Sequence, residues 1–352
     1  MQSLPKRQRM SAPSVPKFEP HPWLRHPHAM TLAAAFWPRH LSRFHKSGVG
    51  RLFQVEKDSQ VLGHCHWQNK PLEHSTLVIV HGLEGSSQSS HVLGLAFKAH
   101  ALSMNVVRLN LRNCGGTIHL TPTLYNAGLS ADLISVLTEL KEQHLQPCFV
   151  AGFSLGANII LKAGGELKSS ARQLISAMVA ISPAIDLHMS VSAIEQPENH
   201  LYQRWFLYSL RRKLKEKVSL FPDKYDISLL KEISTLRAFD DKFTAPAGGY
   251  GDANNYYQMA SSAPLIQEIN VPTLIIAAQD DPLVPFCMFE QYRVTSNPNV
   301  SLLSPAWGGH GGFVQKSHEK IAIFDHFWAE NRAVQFCQEA AAKSRKLPNF
   351  TL

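Results

Sequence analysis

The chain lacks any long apolar run. Its best candidate, Met30 to Trp37, is eight residues long and ends at Pro38, far short of the roughly 20 residues a membrane-spanning helix needs. No transmembrane helix is expected. The basic start, Met1-Gln-Ser-Leu-Pro-Lys-Arg-Gln-Arg-Met10, runs into proline-rich sequence rather than an apolar core, unlike a secretory signal. Cysteine is sparse: Cys65, Cys114, Cys148, Cys287 and Cys337 make five, an odd number, widely scattered and without a CxxC pair. Free thiols in a reducing cytoplasm are therefore expected rather than a disulfide framework. A GxxxxGK[ST] loop and a GxGxxG fingerprint are both absent, which argues against nucleotide and dinucleotide binding. His64-Cys65-His66 has no second ligand pair at suitable spacing. No metal and no other cofactor is expected.

A strong charge of one sign on one element is also lacking. The net charge of +8 comes from 35 Lys+Arg against 27 Asp+Glu. The main clusters are the N-terminal segment and Arg211-Arg212-Lys213-Leu214-Lys215, without the interleaved aromatics of a nucleic-acid surface. No nucleic-acid partner is expected. The second cluster reads as the solvated face of a helix. With the basic N-terminal segment and exposed lid aromatics such as Trp205 and Phe206, it also suggests weak peripheral contact with an anionic membrane surface from the cytoplasmic side.

What is present is an alternation. Leu77–Val80, Val106–Leu111, Cys148–Ala151, Ala177–Ile181 and Thr273–Ala278 are short, nearly continuous apolar runs rich in β-branched residues. Amphipathic stretches such as Leu129–Leu140 lie between them. This predicts a mostly parallel, doubly wound α/β sheet whose strands are buried on both faces. The rhythm breaks between about 186 and 270, a charged, aromatic and mostly helical stretch that includes Tyr202–Val218 and Ser228–Phe239. It predicts a helical lid inserted after the sixth strand, over the carboxyl ends of the sheet where ligands bind in such folds. The expected organisation is a flexible basic arm over 1–20, one domain over 21–340 and a C-terminal tail over 341–352.

Gly152-Phe153-Ser154-Leu155-Gly156 is a G-x-S-x-G, the strand-to-helix turn that presents a nucleophilic serine. Chance supplies one in a chain of this length about one time in ten at average glycine and serine usage, so its surroundings decide its meaning. An orienting acid and then a base should follow in chain order, each after a later strand. Asp280-Asp281-Pro282 follows Thr273–Ala278. Of the two aspartates, Asp281 is preferred as the acid because related motifs use the position before the proline. Val300–Leu303 then leads to Trp307-Gly-Gly-His310-Gly-Gly-Phe313, and a histidine among four glycines is suited to reach over the serine as its base. An oxyanion hole needs two backbone N–H groups. Leu155, after the nucleophile, offers one. Leu83, in His81-Gly82-Leu83-Glu84-Gly85-Ser86-Ser87 after the third strand, offers the other, with His81 bracing that loop.

Further segments carry a family resemblance. They are Pro27-His-Ala-Met-Thr-Leu32, Asn110-Leu-Arg-Asn-Cys-Gly-Gly116, Tyr125-Asn-Ala-Gly128 followed by Asp132, and above all Phe239-Asp-Asp-Lys-Phe-Thr-Ala-Pro246 continuing through Gly249-Tyr250 to Tyr256-Tyr257. Together with the His81, Asp280 and His310 motifs, they resemble the YheT-like branch of the α/β-hydrolases over roughly residues 20–330. Asn113 and Asn126 depart from its usual residues. The resemblance implies the α/β-hydrolase fold and a serine-dependent carboxylic-ester hydrolase acting on short- to medium-chain or lipid-derived acyl esters through an acyl-enzyme. Ser154 would be nucleophile, His310 base and Asp281 acid, with Leu83 and Leu155 as oxyanion donors. The same residues fit acyl transfer or thioester hydrolysis, and the scaffold alone fits a non-catalytic binder. The expected partner is a small-molecule or lipid ester; oligomeric state is left open.

Overall fold

The computed structural model of the chain describes residues 17–39, 41–316 and 323–346. Eight strands form one sheet: β1 (Val49–Glu56), β2 (Ser59–His66), β3 (Thr76–Val80), β4 (Asn105–Leu109), β5 (Cys148–Phe153), β6 (Ala177–Ile181), β7 (Thr273–Ile276) and β8 (Val300–Leu303). Their order is β1-β2-β4-β3-β5-β6-β7-β8. Only β2 runs against the rest, pairing antiparallel with β1 and β4, while every pair from β4 across to β8 is parallel.

Every side chain of β3 to β7 is buried. The period of two sends Val78 and Val80 into the core on one face of the sheet, and Leu77 and Ile79 into the core on the other. Each such side chain removed from water contributes about 1.5–3 kcal/mol. This two-sided burial is why those strands are legible as apolar runs. The β1–β2 hairpin sits at the sheet edge and alternates buried with open positions. Its residues do not form an apolar run, so nothing in the sequence pattern marks where these two strands lie.

The helix Leu155–Leu167 packs on one face, and Ser90–Ala101 and Trp328–Lys346 on the other. The terminal helix thus occupies much of the expected tail. Of the expected arm, residues 1–16 lie outside the described residues. The last four lie against the body, where the buried Phe18 ring stands 6.0 Å from Phe313 and 5.4 Å from Trp328.

Between β6 and β7 the chain leaves the sheet for the helices Leu187–Ile194, His200–Leu220 and Ala253–Ala260, linked by shorter turns. The helical stretch expected over 228–239 is broken. A 3-10 turn over Ile227–Glu232 ends at extended Ile233, and a new turn, Leu236–Phe239, is capped by Thr235, whose hydroxyl accepts from the Ala238 N–H at 3.1 Å. The basic cluster on His200–Leu220 is only partly a solvated face. Arg212 and Lys215 are exposed, but Arg211 donates to the Ile233 carbonyl and Lys213 turns inward.

Candidate active site

β5 delivers Ser154 to the carboxyl edge of the sheet in a backbone conformation, φ 53° and ψ −119°, that L residues adopt only under constraint. The constraint is visible. The Ser154 N–H donates to the Ile181 carbonyl of neighbouring β6 at 2.9 Å, and the Ser154 carbonyl accepts from the Asn158 N–H at 3.0 Å as the helix begins. The motif glycines permit the turn. A methyl on Gly156 would lie 2.3 Å from the His81 carbonyl oxygen, and one on Gly152 would lie 2.6 Å from the Gly156 carbonyl oxygen. Only glycine lets the elbow pass between β3 and its own helix.

Three sequence candidates converge. His310 Nε2 lies 2.9 Å from Ser154 Oγ, and His310 Nδ1 lies 2.9 Å from Asp281 Oδ2 and 3.1 Å from Oδ1. The carboxylate can only accept, so Nδ1 carries the proton and Nε2 is left to accept from the serine hydroxyl. Asp281 is itself fixed, with Oδ1 accepting from the Leu283 and Val284 N–H groups at 2.9 and 3.0 Å. Its neighbour does something else. Asp280 Oδ1 accepts from the Gly309 N–H at 2.9 Å and so holds the histidine loop rather than the imidazole. Burial pushes the Asp280 carboxyl above the usual range, and adjacent Asp281 adds to that push against the Gly309 N–H.

Two supports for His310 were not marked by the sequence. The Thr31 hydroxyl donates to the Pro27 carbonyl and accepts from the His310 N–H, each at 2.8 Å. This gives the Pro27–Leu32 motif a purpose: the helix Pro27–Phe36 is the shelf on which the histidine loop rests. Gly309, at φ 56°, fits there because a methyl would meet the Pro27 carbonyl oxygen at 2.6 Å. On the other side, the Ser182 hydroxyl accepts from the Gly311 N–H at 3.0 Å.

The loop after β3 passes directly over the serine, since a methyl on Gly82 would stand 3.1 Å from Ser154 Cβ. Leu83 and Leu155 bracket this point, and among the described residues neither N–H has a protein acceptor. The helix Leu155–Leu167 adds the positive end of its dipole. His81 braces the loop: its Nε2 accepts from the Leu111 N–H at 3.1 Å, so Nδ1 carries the proton toward the Gly82 carbonyl at 2.7 Å. Complete burial pushes this imidazole down to about 3, which keeps it neutral.

Glu84, quoted in the motif without a role, is the anchor of the same loop. Its side chain is wholly buried. It takes the Tyr125 hydroxyl at 2.6 Å and Lys213 of the lid helix at 2.9 Å, and it also accepts from Ser209. The Tyr125 oxygen in turn accepts the Glu84 N–H at 3.0 Å.

The remaining motifs prove to be one another's packing partners. Arg112 and Asp132 form a buried two-pronged pair at 2.7 and 2.5 Å. The Tyr256 hydroxyl of the lid block accepts from the Ala127 N–H at 2.9 Å, and the Tyr257 hydroxyl donates to half-buried Asp240 at 2.8 Å. Asn158, one helical turn after Ser154, joins both groups by donating to the Ala127 and Ala260 carbonyls at 3.1 and 2.8 Å.

A cavity of about 670 Å³ opens beside Ser154 and His310, walled largely by apolar side chains of the helix Pro27–Phe36 and of the lid. His91 lines it too, its ring 4.4 Å from Phe153, and burial pushes that imidazole down to about 3.

The sequence profile of the α/β-hydrolase fold family matches residues 75–317. The chain is 31% identical to the esterase candidate YheT of Escherichia coli K12 over 75% of this chain and 76% of that protein. It is 33% identical to a monoacylglycerol lipase of Saccharomyces cerevisiae, over 67% of this chain but 54% of that one. Among solved structures, the Pyrococcus furiosus esterase Pf2001 superposes with a TM-score of 0.55 at 16% identity, covering 86% of this chain and 96% of that chain. At that identity the likeness speaks for the fold alone. The chain belongs to the α/β-hydrolase fold family, in its YheT-like esterase branch.

Proposed function

We propose that this carboxylic-ester hydrolase works through an acyl-enzyme on Ser154 and that its substrates are lipid-derived esters with a medium-length acyl chain. The observation that carries the reading is the continuous chain of hydrogen bonds from Ser154 Oγ through His310 to Asp281, each near 2.9 Å, on a strained elbow.

The serine oxygen attacks the ester carbonyl carbon as His310 Nε2 takes the hydroxyl proton. Charge moves onto the carbonyl oxygen, where the Leu83 and Leu155 N–H groups stabilise it. The carbon–oxygen bond to the alcohol breaks, His310 returns the proton to that alcohol, and the acyl group stays on Ser154. Water then repeats the sequence: it loses a proton to His310, attacks the acyl carbon, and leaves as the carboxylic acid while Ser154 regains its proton. Asp281 holds the imidazole tautomer and stabilises the imidazolium between these steps.

The substrate class follows from the cavity, whose volume lies within the roughly 300–1,000 Å³ of small-molecule sites and whose walls suit an alkyl chain. The lipase relative in yeast agrees with it. The test is a chain-length series of p-nitrophenyl esters and monoacylglycerols, run beside Ser154→Ala. Turnover that peaks at medium acyl length and vanishes in the variant supports the reading. Turnover that survives in a folded Ser154→Ala protein refutes the acyl-enzyme, and indifference to chain length refutes the substrate class.

A further inference from the structure

The cavity mouth is framed by side chains that a water-facing surface ordinarily hides. Phe36 on the helix Pro27–Phe36 is 81% exposed, and Leu201 and Trp205 on the lid helix His200–Leu220 are 66% and 57% exposed, yet all three also line the cavity. Tyr208, at 67%, continues the patch away from the mouth. The exposed positions 201, 205, 208, 212 and 215 fall three or four residues apart, so they form one outward stripe along the lid helix. Its first two members, Leu201 and Trp205, line the mouth and Tyr208 follows them; its last two are Arg212 and Lys215, with exposed Glu216 next to Lys215. Exposed Arg204 flanks the apolar end, and Glu198 is the acidic group at the rim.

We propose that this rim docks on a lipid layer bearing anionic headgroups, so that an ester slides from the layer into the cavity without crossing water. The inference rests on the lipid-ester reading above and names the surface that presents the substrate. Two observations select a lipid layer over a protein partner. The mouth lies inside the apolar patch, so a protein seated there would stopper the cavity, whereas a fluid layer supplies it. The patch also passes, along one helix face, into a basic segment that complements anionic headgroups, in a chain carrying a net charge of +8. Among the described residues no helix is long and apolar enough to cross a membrane. Of the residues expected from sequence to make such a contact, Trp205, Arg212 and Lys215 belong to this face, whereas Phe206 is half-buried and lines the cavity. Arg211 and Lys213 are engaged elsewhere.

The test is flotation of the full chain, carrying Ser154→Ala so that no substrate is consumed, with vesicles of phosphatidylcholine and phosphatidylglycerol in equal parts at low salt. The protein is expected to float. Trp205→Ser with Tyr208→Ser is expected to reduce the bound fraction about tenfold or more, and Arg212→Glu with Lys215→Glu to do so only for the anionic vesicles. Circular dichroism melts of both exposed-site variants establish that they fold. A parent protein that stays unbound, or variants that float as well as the parent, would overturn the proposal. So would a dimer in sedimentation equilibrium that Trp205→Ser with Tyr208→Ser dissolves, because the patch then belongs to a second copy. Flotation does not depend on turnover. Vesicle binding without any ester hydrolysis by the unsubstituted protein would overturn the proposed function alone, and hydrolysis without binding would overturn docking alone.

Discussion

The Glu84 carboxylate, buried without solvent contact, receives the Lys213 ammonium of the lid helix at 2.9 Å, one residue beyond the Leu83 N–H proposed to hold the oxyanion. The lid therefore does more than roof the cavity. It fastens, through an ion pair and the Tyr125 hydroxyl, the loop on which catalysis is proposed to depend.

Removing one partner of a buried pair strands the other, at a cost of about 3–5 kcal/mol. Lys213→Met is expected to lower stability by about that amount in urea unfolding. Because the loop would shift near the reacting carbonyl, kcat is expected to fall on the order of a hundredfold, with KM little changed. A stability loss with kcat untouched would separate the lid from the oxyanion loop.

The two adjacent aspartates have different partners and should respond differently. Asp281→Asn replaces an acceptor of the His310 N–H with a group that can present an amide donor, and kcat is expected to fall by about 10³–10⁴. Asp280→Asn keeps an oxygen for the Gly309 N–H, so it is expected to cost about tenfold or less. Steady-state kinetics on a p-nitrophenyl ester compares them; equal losses would contradict the assignment.

Gly156→Ala tests the elbow. Its methyl would press on two main-chain oxygens, those of His81 at 2.3 Å and Val80 at 2.6 Å, neither of which can rotate away. A loss of about 3 kcal/mol is expected, read as a lower thermal midpoint. A variant as stable as its parent would mean that the loop after β3 yields easily.

Neutral, buried His81 gives a pH dependence with a definite sign. In the unfolded chain an imidazole gains its proton near 6.5, whereas in the fold it resists until about 3. Between these values the unfolded state binds more protons, so stability falls as pH falls through that window, by about 1.4 kcal/mol per pH unit from this residue. Protonation would also take Nε2 away from the Leu111 N–H. Urea unfolding at pH 7 and pH 5 is expected to show the loss. In His81→Gln the starting stability should be lower and the slope flatter by about that amount; an unchanged slope would contradict the assignment.

The sequence exposed those features that depend on local pattern. β3 to β7 were legible because both faces of the sheet are covered. Ser154, Asp281 and His310 were legible because each follows a strand in a fixed chain order, with glycines marking the tight passages. The β1–β2 hairpin was not located, since one open face replaces an apolar run with alternation. Thr31, Ser182, Asn158 and the role of Glu84 were invisible for a different reason. Thr31 meets His310 across 279 positions, and Glu84 meets Lys213 across 129, so only the folded chain brings them together. The motifs of the resemblance stand apart in the sequence. Their mutual contacts, Arg112 with Asp132 and Tyr256 with Ala127, show them to be parts of one packed unit between the elbow helix and the lid.

An activated Ser154 nucleophile can be trapped covalently. The folded protein is treated with a fluorophosphonate and the modified peptide is located by mass spectrometry. The expected result is a single phosphonyl group on Ser154, with labelling slowed by about 10³-fold or more in His310→Gln. Labelling at another residue, or ester turnover by a protein that leaves Ser154 unmodified, would show that Ser154 is not the nucleophile.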